Sequence, residues 1–220
     1  GAFFIVTFAS MNPYPDIFSI RSQKEFEKIT LKVFRHQFEN NKVYEDFCLL
    51  LKKDKSNVKT ITDIPFLPIQ FFKSHEIISS TNPIQETFTS SGTTGSITSK
   101  HLVTDITLYE QSFRNAFSQF YGNIEDYVIL ALLPSYLERE GSSLIYMVND
   151  LIEGSNHPKS GFYLNNYDDL IHTLIELDSS GQNVLLIGVT YALLDMVEKQ
   201  AFQLKNTIVM ETGGMKGKRK

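Results

Sequence analysis

Residues 127–133 read YVILALL, seven apolar side chains in a row without a charge. The run is long enough for a strand and short for a helix. A strand apolar at every position must be covered on both faces. Working outward from it, the pattern alternates. Residues 142–153 carry helical periodicity up to Gly154, and 161–164 form a short strand. Residues 167–178 form a helix ahead of Gly181, 183–189 (NVLLIGV) a second apolar strand, 191–203 a helix, and 207–211 (TIVME) a last strand. Apolar strands separated by helices predict an α/β fold: an N-terminal helical segment, then a mixed, mostly parallel sheet flanked by helices.

Upstream, Ser22 and Glu25 have the spacing of a capping box ahead of a stripe at Phe26, Ile29, Val33 and Phe38. The helix it opens is expected to end near Asn40 and Asn41, with a second over 44–52. Cys48 sits among Phe47, Leu49 and Leu50 and reads as a small core residue. Pro65 and Pro68 exclude a regular helix through residues 64–73, so this aromatic-rich piece reads as extended and buried. Asp105 is placed to cap a helix with apolar positions Ile106, Tyr109, Phe113, Phe117 and Phe120, stopped by Gly122.

Composition narrows the function classes. The 220 residues carry a net charge of -4, which argues against a nucleic-acid partner. Four of the 21 basic residues (Lys216, Lys218, Arg219 and Lys220) fall in the last five positions, so the body is more acidic still. One cysteine excludes an internal disulfide, and a reducing cytoplasm is the expected compartment. Residues 3–8 are apolar but far short of a membrane span, with no basic flank of a secretory signal. The five histidines (36, 75, 101, 157 and 172) form no metal-binding spacing, and no Gly-x-Ser-x-Gly elbow is present.

The stretch that speaks to chemistry is 89–100, TSSGTTGSITSK. It lies between the extended residues 86–88 and a short strand at 101–104 that leads to the Asp105 helix. Glycines allow close approach of backbone to ligand, successive amides make an anion cradle, hydroxyls rotate to meet phosphate oxygens, and a lysine adds a point charge. A polyphosphate, most simply ATP, is the expected ligand. The Walker pattern with its terminal Gly-Lys-Ser/Thr is absent. Two further segments follow strands: 133–141 (LPSYLEREG) and 211–216 (ETGGMK). Ligands of open α/β sheets bind beyond the carboxyl ends of the strands, where both segments are expected.

Together these residues resemble the adenylate-forming enzymes. TSSGTTG with Lys100 resembles their phosphate loop, although this loop is longer and lacks the proline usual before the lysine. FLPIQFFKSH (66–75), the loop running into SKHLV, and LPSYLEREGSSLIYM (133–147) are similar to the acyl-protein synthetases of the LuxE type. The resemblance implies that Ser90, Ser91, Gly92, Thr93, Thr94, Gly95 and Lys100 hold ATP phosphates, with Lys100 as the catalytic cation. It implies that Thr212, Gly213 and Gly214 lie along adenine, and that Tyr136, Glu138 and Arg139 face substrate. Mg²⁺ would accompany ATP, and no metal bound by the protein alone is implied. The reaction implied is activation of a carboxylic acid, a long-chain fatty acid in this subfamily, as an acyl-adenylate for a thiol. Reductase and acyltransferase partners would follow.

The chain departs from the family by lacking its ribose-binding aspartate, its C-terminal lysine domain and its acceptor cysteine. Residues 1–14 are expected to be a disordered extension or tag, 15–217 a partial nucleotide-binding domain, and 218–220 a basic tail, the C-terminal domain being absent. An acyl- or aryl-coenzyme A ligase, and a non-catalytic module that binds ATP or a partner, stand as alternatives.

Overall fold

The computed structural model describes residues 17–90, 97–134, 140–164 and 166–213. The chain forms two compact units, residues 1–104 and 105–220.

In the first unit, α1 (Gln23–Asn40) starts at Ser22, whose hydroxyl accepts from the Glu25 amide. The Glu25 carboxylate reaches back one residue further than a standard capping box, to the Arg21 amide at 2.8 Å. Asn41 then caps α2 (Lys42–Leu50) by accepting from the Tyr44 amide, so the two helices turn about one residue. The expected stripe on α1 is displaced: Phe34 and Phe38 are buried, with Leu31 packed beside them, while Phe26 is exposed. They form a small core with Tyr44, Cys48 and Val58. The Tyr44 hydroxyl donates to the Pro65 carbonyl at 2.7 Å and ties the proline-rich segment to this core. That segment is less buried than expected. Ile64 and Leu67 pack inward, but Phe66 is 81% exposed, and a one-turn helix α3 (Phe71–Ser74) ends the run. Two strands follow, β1 (Glu86–Thr89) and β2 (Lys100–Val103), paired antiparallel with Thr89 opposite Lys100.

In the second unit, Asp105 caps α4 (Ile106–Tyr121) through the Thr107 amide, and Gly122 ends it at a φ of 86°. Strand β3 (Val128–Leu132), helix α5 (Ser143–Ser155), strand β4 (Gly161–Phe162), helix α6 (Tyr167–Ser179), strand β5 (Val184–Gly188), helix α7 (Thr190–Lys199) and strand β6 (Thr207–Glu211) alternate as expected. The sheet order is β4-β3-β5-β6 and every pairing is parallel. The antiparallel β1–β2 pair is a separate sheet rather than an edge of this one. Strands β3 and β5 are buried at all five positions. Around them pack Phe113 and Phe117 of α4, Val148 and Leu151 of α5, Leu170 and Leu174 of α6, and Ala192 and Met196 of α7. Burying such side chains supplies roughly 1.5–3 kcal/mol each.

Two helix ends and the covering of one strand differ from the sequence reading. Helix α5 runs through Gly154 and ends at Asn156, which takes the left-handed conformation (φ 49°). A Cβ on Gly154 would meet Ile124 Cγ2 at 3.6 Å, an ordinary packing contact. Helix α7 stops at Lys199, with Gln200 already extended. Strand β6 is apolar yet uncovered, with Val209 50% exposed.

Gly188 ends β5 where α7 packs closest: a Cβ there would stand 2.6 Å from Leu193 Cδ2. Asp178, buried at the end of α6, anchors the approach to β6. Its carboxylate accepts from the Lys205 and Asn206 amides and from the Thr207 hydroxyl, while Asn206 Nδ2 donates to its carbonyl. Burial pushes the Asp178 carboxyl up, but the donated hydrogen bonds outweigh it and hold the pKa below the ordinary carboxylate value.

Candidate functional site

The Gly/Ser/Thr run joins β1 to β2, so it is the connection of a hairpin and not the link from a strand to a helix. Its base is closed twice. The Ser90 amide donates to the Ser99 carbonyl at 3.1 Å, and the Ser99 amide donates to Ser90 Oγ at 3.0 Å. Ser90 therefore accepts on its hydroxyl oxygen and keeps the hydroxyl proton for another partner. Lys100 opens β2 and is exposed. It enters no ion pair among the described residues, which leaves its ammonium to meet an anion. Ser91, Gly92, Thr93, Thr94 and Gly95 lie outside the described residues.

The strand order of the second unit contains the reversal at which open α/β sheets bind ligands. From β3 the chain moves to β4 on one side, then crosses to β5 on the other. The carboxyl ends of β3 and β5 thus form a topological switch point. Backbone bonds continue past the strands there: the Val189 amide donates to Leu132 O at 3.3 Å, and the Thr212 amide to Gly188 O at 2.9 Å. Leu133 is buried, which anchors the start of the 133–141 segment. Tyr136, Glu138, Arg139 and Gly214 lie outside the described residues.

At the ends of β5 and β6 the polar groups converge. The Thr190 hydroxyl hydrogen-bonds Glu211 Oε1. Thr212 Oγ1 is shut off from solvent and has no hydrogen-bond partner among the described residues. Such an orphan costs about 1–3 kcal/mol unless a ligand or water meets it. A Cβ built on Gly213 would meet nothing within 4 Å, so the space beside its backbone is open to a flat group. Thr190 and Glu211 were not singled out from the sequence. The signal was there in Glu211, a carboxylate closing an apolar strand, but its partner lies 21 residues away.

Other titratable groups point to structure. Burial raises the pKa of the Cys48 thiol, so it stays protonated and inert. The Arg114 guanidinium joins α4 to α5 through Asp150, and its hydrogen bonds there strengthen its hold on the proton. No group of three or more His, Cys, Asp or Glu suited to a metal occurs among the described residues. No helix among them is long and apolar enough to cross a membrane.

Comparison with known proteins bears on the first unit most directly. A family model described as acyl-protein synthetase, LuxE, matches residues 11–121, half of the chain, including the hairpin and its loop. A long-chain-fatty-acid–luciferin-component ligase of Photorhabdus luminescens is 38% identical over 74 residues, which are 33% of this chain and 63% of the relative. The chain thus spans less than two thirds of the length of that relative. No solved structure matches. With the hairpin, its loop and Lys100 all inside the matched segment, the chain belongs to the LuxE family of acyl-protein synthetases.

Proposed function

We propose that this protein takes part in ATP-dependent activation of a long-chain fatty acid, as the acyl-adenylate, for transfer to a thiol. The observation that carries the reading is the hairpin loop, whose pinned base leaves the Ser90 hydroxyl proton and the Lys100 ammonium without a partner among the described residues. Membership of the LuxE family supports the reaction class. The relative's name supports the fatty acid, and the reductase and acyltransferase partners are carried over from the resemblance alone.

In the proposed reaction a carboxylate oxygen bonds the α-phosphorus of ATP as the bond to pyrophosphate breaks. The thiol then bonds the acyl carbon, loses its proton, and AMP leaves. The Ser90 hydroxyl and the loop amides of 91–95 donate to phosphate oxygens, and Lys100 balances their charge. Gly213, with Gly214 beside it, gives adenine a flat seat. Tyr136, Glu138 and Arg139 are assigned to the substrate. Mg²⁺ would arrive with the nucleotide and neutralise phosphate charge. The acceptor thiol is not Cys48, which is buried and protonated. A reducing cytoplasm is the compartment proposed.

The test is pyrophosphate release with carboxylic acids of graded chain length. Release that rises toward long-chain acids supports the proposal. Release that favours short or aryl acids and depends on coenzyme A turns it into a coenzyme A ligase. ATP binding without carboxylate-dependent release makes the chain a binding module.

A further inference from the structure

We propose that the end of α2 and the proline-rich segment beside it dock onto an anionic lipid surface, with Leu50, Phe66 and Ile69 entering the bilayer boundary and Lys52 and Lys73 meeting the head groups. This surface lies in the first unit and does not depend on the nucleotide reading above. Two anchors lay residues 65–71 along α2. The Tyr44 hydroxyl donates to the Pro65 carbonyl at 2.7 Å, and the Phe47 and Phe71 rings meet edge-on with centroids 5.8 Å apart. Tyr44 and Phe47 stand nearly one turn apart, so the segment runs toward the C-terminal end of α2. Leu50 follows Phe47 by three positions on the same flank. Inward, Ile64 and Leu67 pack on the small core of Tyr44 and Cys48. Outward, Leu50 is 83%, Phe66 81% and Ile69 71% exposed.

The end of α2 is held in a fixed turn. The Lys52 amide donates to Leu49 O and the Lys53 amide to Cys48 O, each at 2.9 Å, which are the two bonds of a Schellman motif. Lys52 takes its left-handed position (φ 57°), where glycine would sit without steric cost. A lysine thus stands fixed beside the exposed Leu49, Leu50 and Leu51. Lys53 pairs with Asp63 and Lys55 with Glu39. Lys52 and Lys73 are exposed and enter no ion pair among the described residues. Residues 42–73 carry six lysines and four carboxylates, in a chain of net charge -4. Interfaces between proteins are depleted in lysine. Lysines beside projecting leucine and phenylalanine suit a bilayer instead: the apolar tips enter the acyl boundary and the ammoniums meet lipid phosphates. A long-chain acid dissolves in the same layer, so docking would bring the chain to the substrate proposed above.

The chain contains no tryptophan, so one introduced residue reports alone. Fluorescence of Phe66→Trp is followed on adding phosphatidylcholine vesicles with and without phosphatidylglycerol. Emission should shift to the blue with the anionic vesicles, and the shift should fade as salt is added. Phe120→Trp, at an equally exposed position of the second unit, should not shift. In co-sedimentation with the anionic vesicles, Leu50→Gln should lower binding about tenfold or more. Lys52→Gln and Lys73→Gln should each lower it about fivefold. All three sites are exposed, so thermal unfolding of these variants should match the wild type. An unmoved Phe66→Trp spectrum, equal binding to both kinds of vesicle, or a Leu50→Gln variant that binds as the wild type does overturns the inference. So does self-association of the wild type that Leu50→Gln abolishes while vesicles leave Phe66→Trp unmoved, which makes the patch an interface between copies. Pyrophosphate release measured without vesicles tests the proposed function separately.

Discussion

Ser90 Oγ accepts the Ser99 amide at 3.0 Å, so one side chain of the proposed phosphate loop also closes the hairpin that carries it. Two roles for one hydroxyl are separable by experiment. Ser90→Ala should cost about 0.5–1.5 kcal/mol in urea unfolding, the worth of one hydrogen bond, while ATP affinity falls several-fold. Ser90→Thr keeps the hydroxyl and should recover most of both. An affinity unchanged in Ser90→Ala would remove Ser90 from the site.

Lys100 is exposed and unpaired among the described residues, so its removal should leave stability within about 0.5 kcal/mol. ATP affinity of Lys100→Ala should drop roughly tenfold or more, and the drop should shrink as salt screens the charge. Titration calorimetry at two ionic strengths checks both statements.

Gly188 and Gly213 look alike in sequence and differ in the fold. Alanine at 188 forces Leu193 aside, since the added Cβ would stand 2.6 Å from its Cδ2. Overpacking of this kind costs about 1–3 kcal/mol. Adding Leu193→Ala to Gly188→Ala should cost less than the two single changes summed. Alanine at 213 meets nothing, so thermal unfolding of Gly213→Ala should match the wild type while adenine nucleotides bind more weakly. Unaltered nucleotide binding would place adenine elsewhere.

Asp178 predicts a pH dependence. Its folded-state pKa lies below the ordinary value of 3.8. The stability it contributes is therefore fully present above that value and is lost as pH falls through the folded one. Asp178→Asn should lose about 2–4 kcal/mol at neutral pH, because the Lys205, Asn206 and Thr207 donors lose a charged acceptor. Below the folded pKa the gap between variant and wild type should narrow. Urea midpoints measured from neutral pH down to about pH 2 follow it.

Much of the second unit was legible because its signals are local. VILAL and VLLIG are short, charge-free and bounded by polar turns, which leaves no stable choice but a strand covered on both faces. Ser22, Asp105 and Gly122 are punctuation read within one turn of chain. The errors came where a neighbour distant in sequence decided. Phe26 yielded the inner face of α1 to Phe34 because the partners of that helix are Tyr44, Cys48 and Val58. Gly154, a local exception, did not end α5 because Asn156 takes the left-handed cap conformation two residues later.

The candidate site divides in the same way. Amino-acid type alone marked 89–100 as the candidate place for phosphate, since glycine, hydroxyl and lysine chemistry does not depend on what surrounds it. The family resemblance lay in contiguous motifs for the same reason. Only the tertiary structure decided that this run bridges two antiparallel strands, that the parallel strands run in the order β4-β3-β5-β6, and that Thr190 meets Glu211 beside the open face of Gly213. Strand order and the pairing of remote side chains follow from how helices and strands bury their apolar faces together. No single segment carries that information, because the free energy that selects the arrangement is shared among all of them.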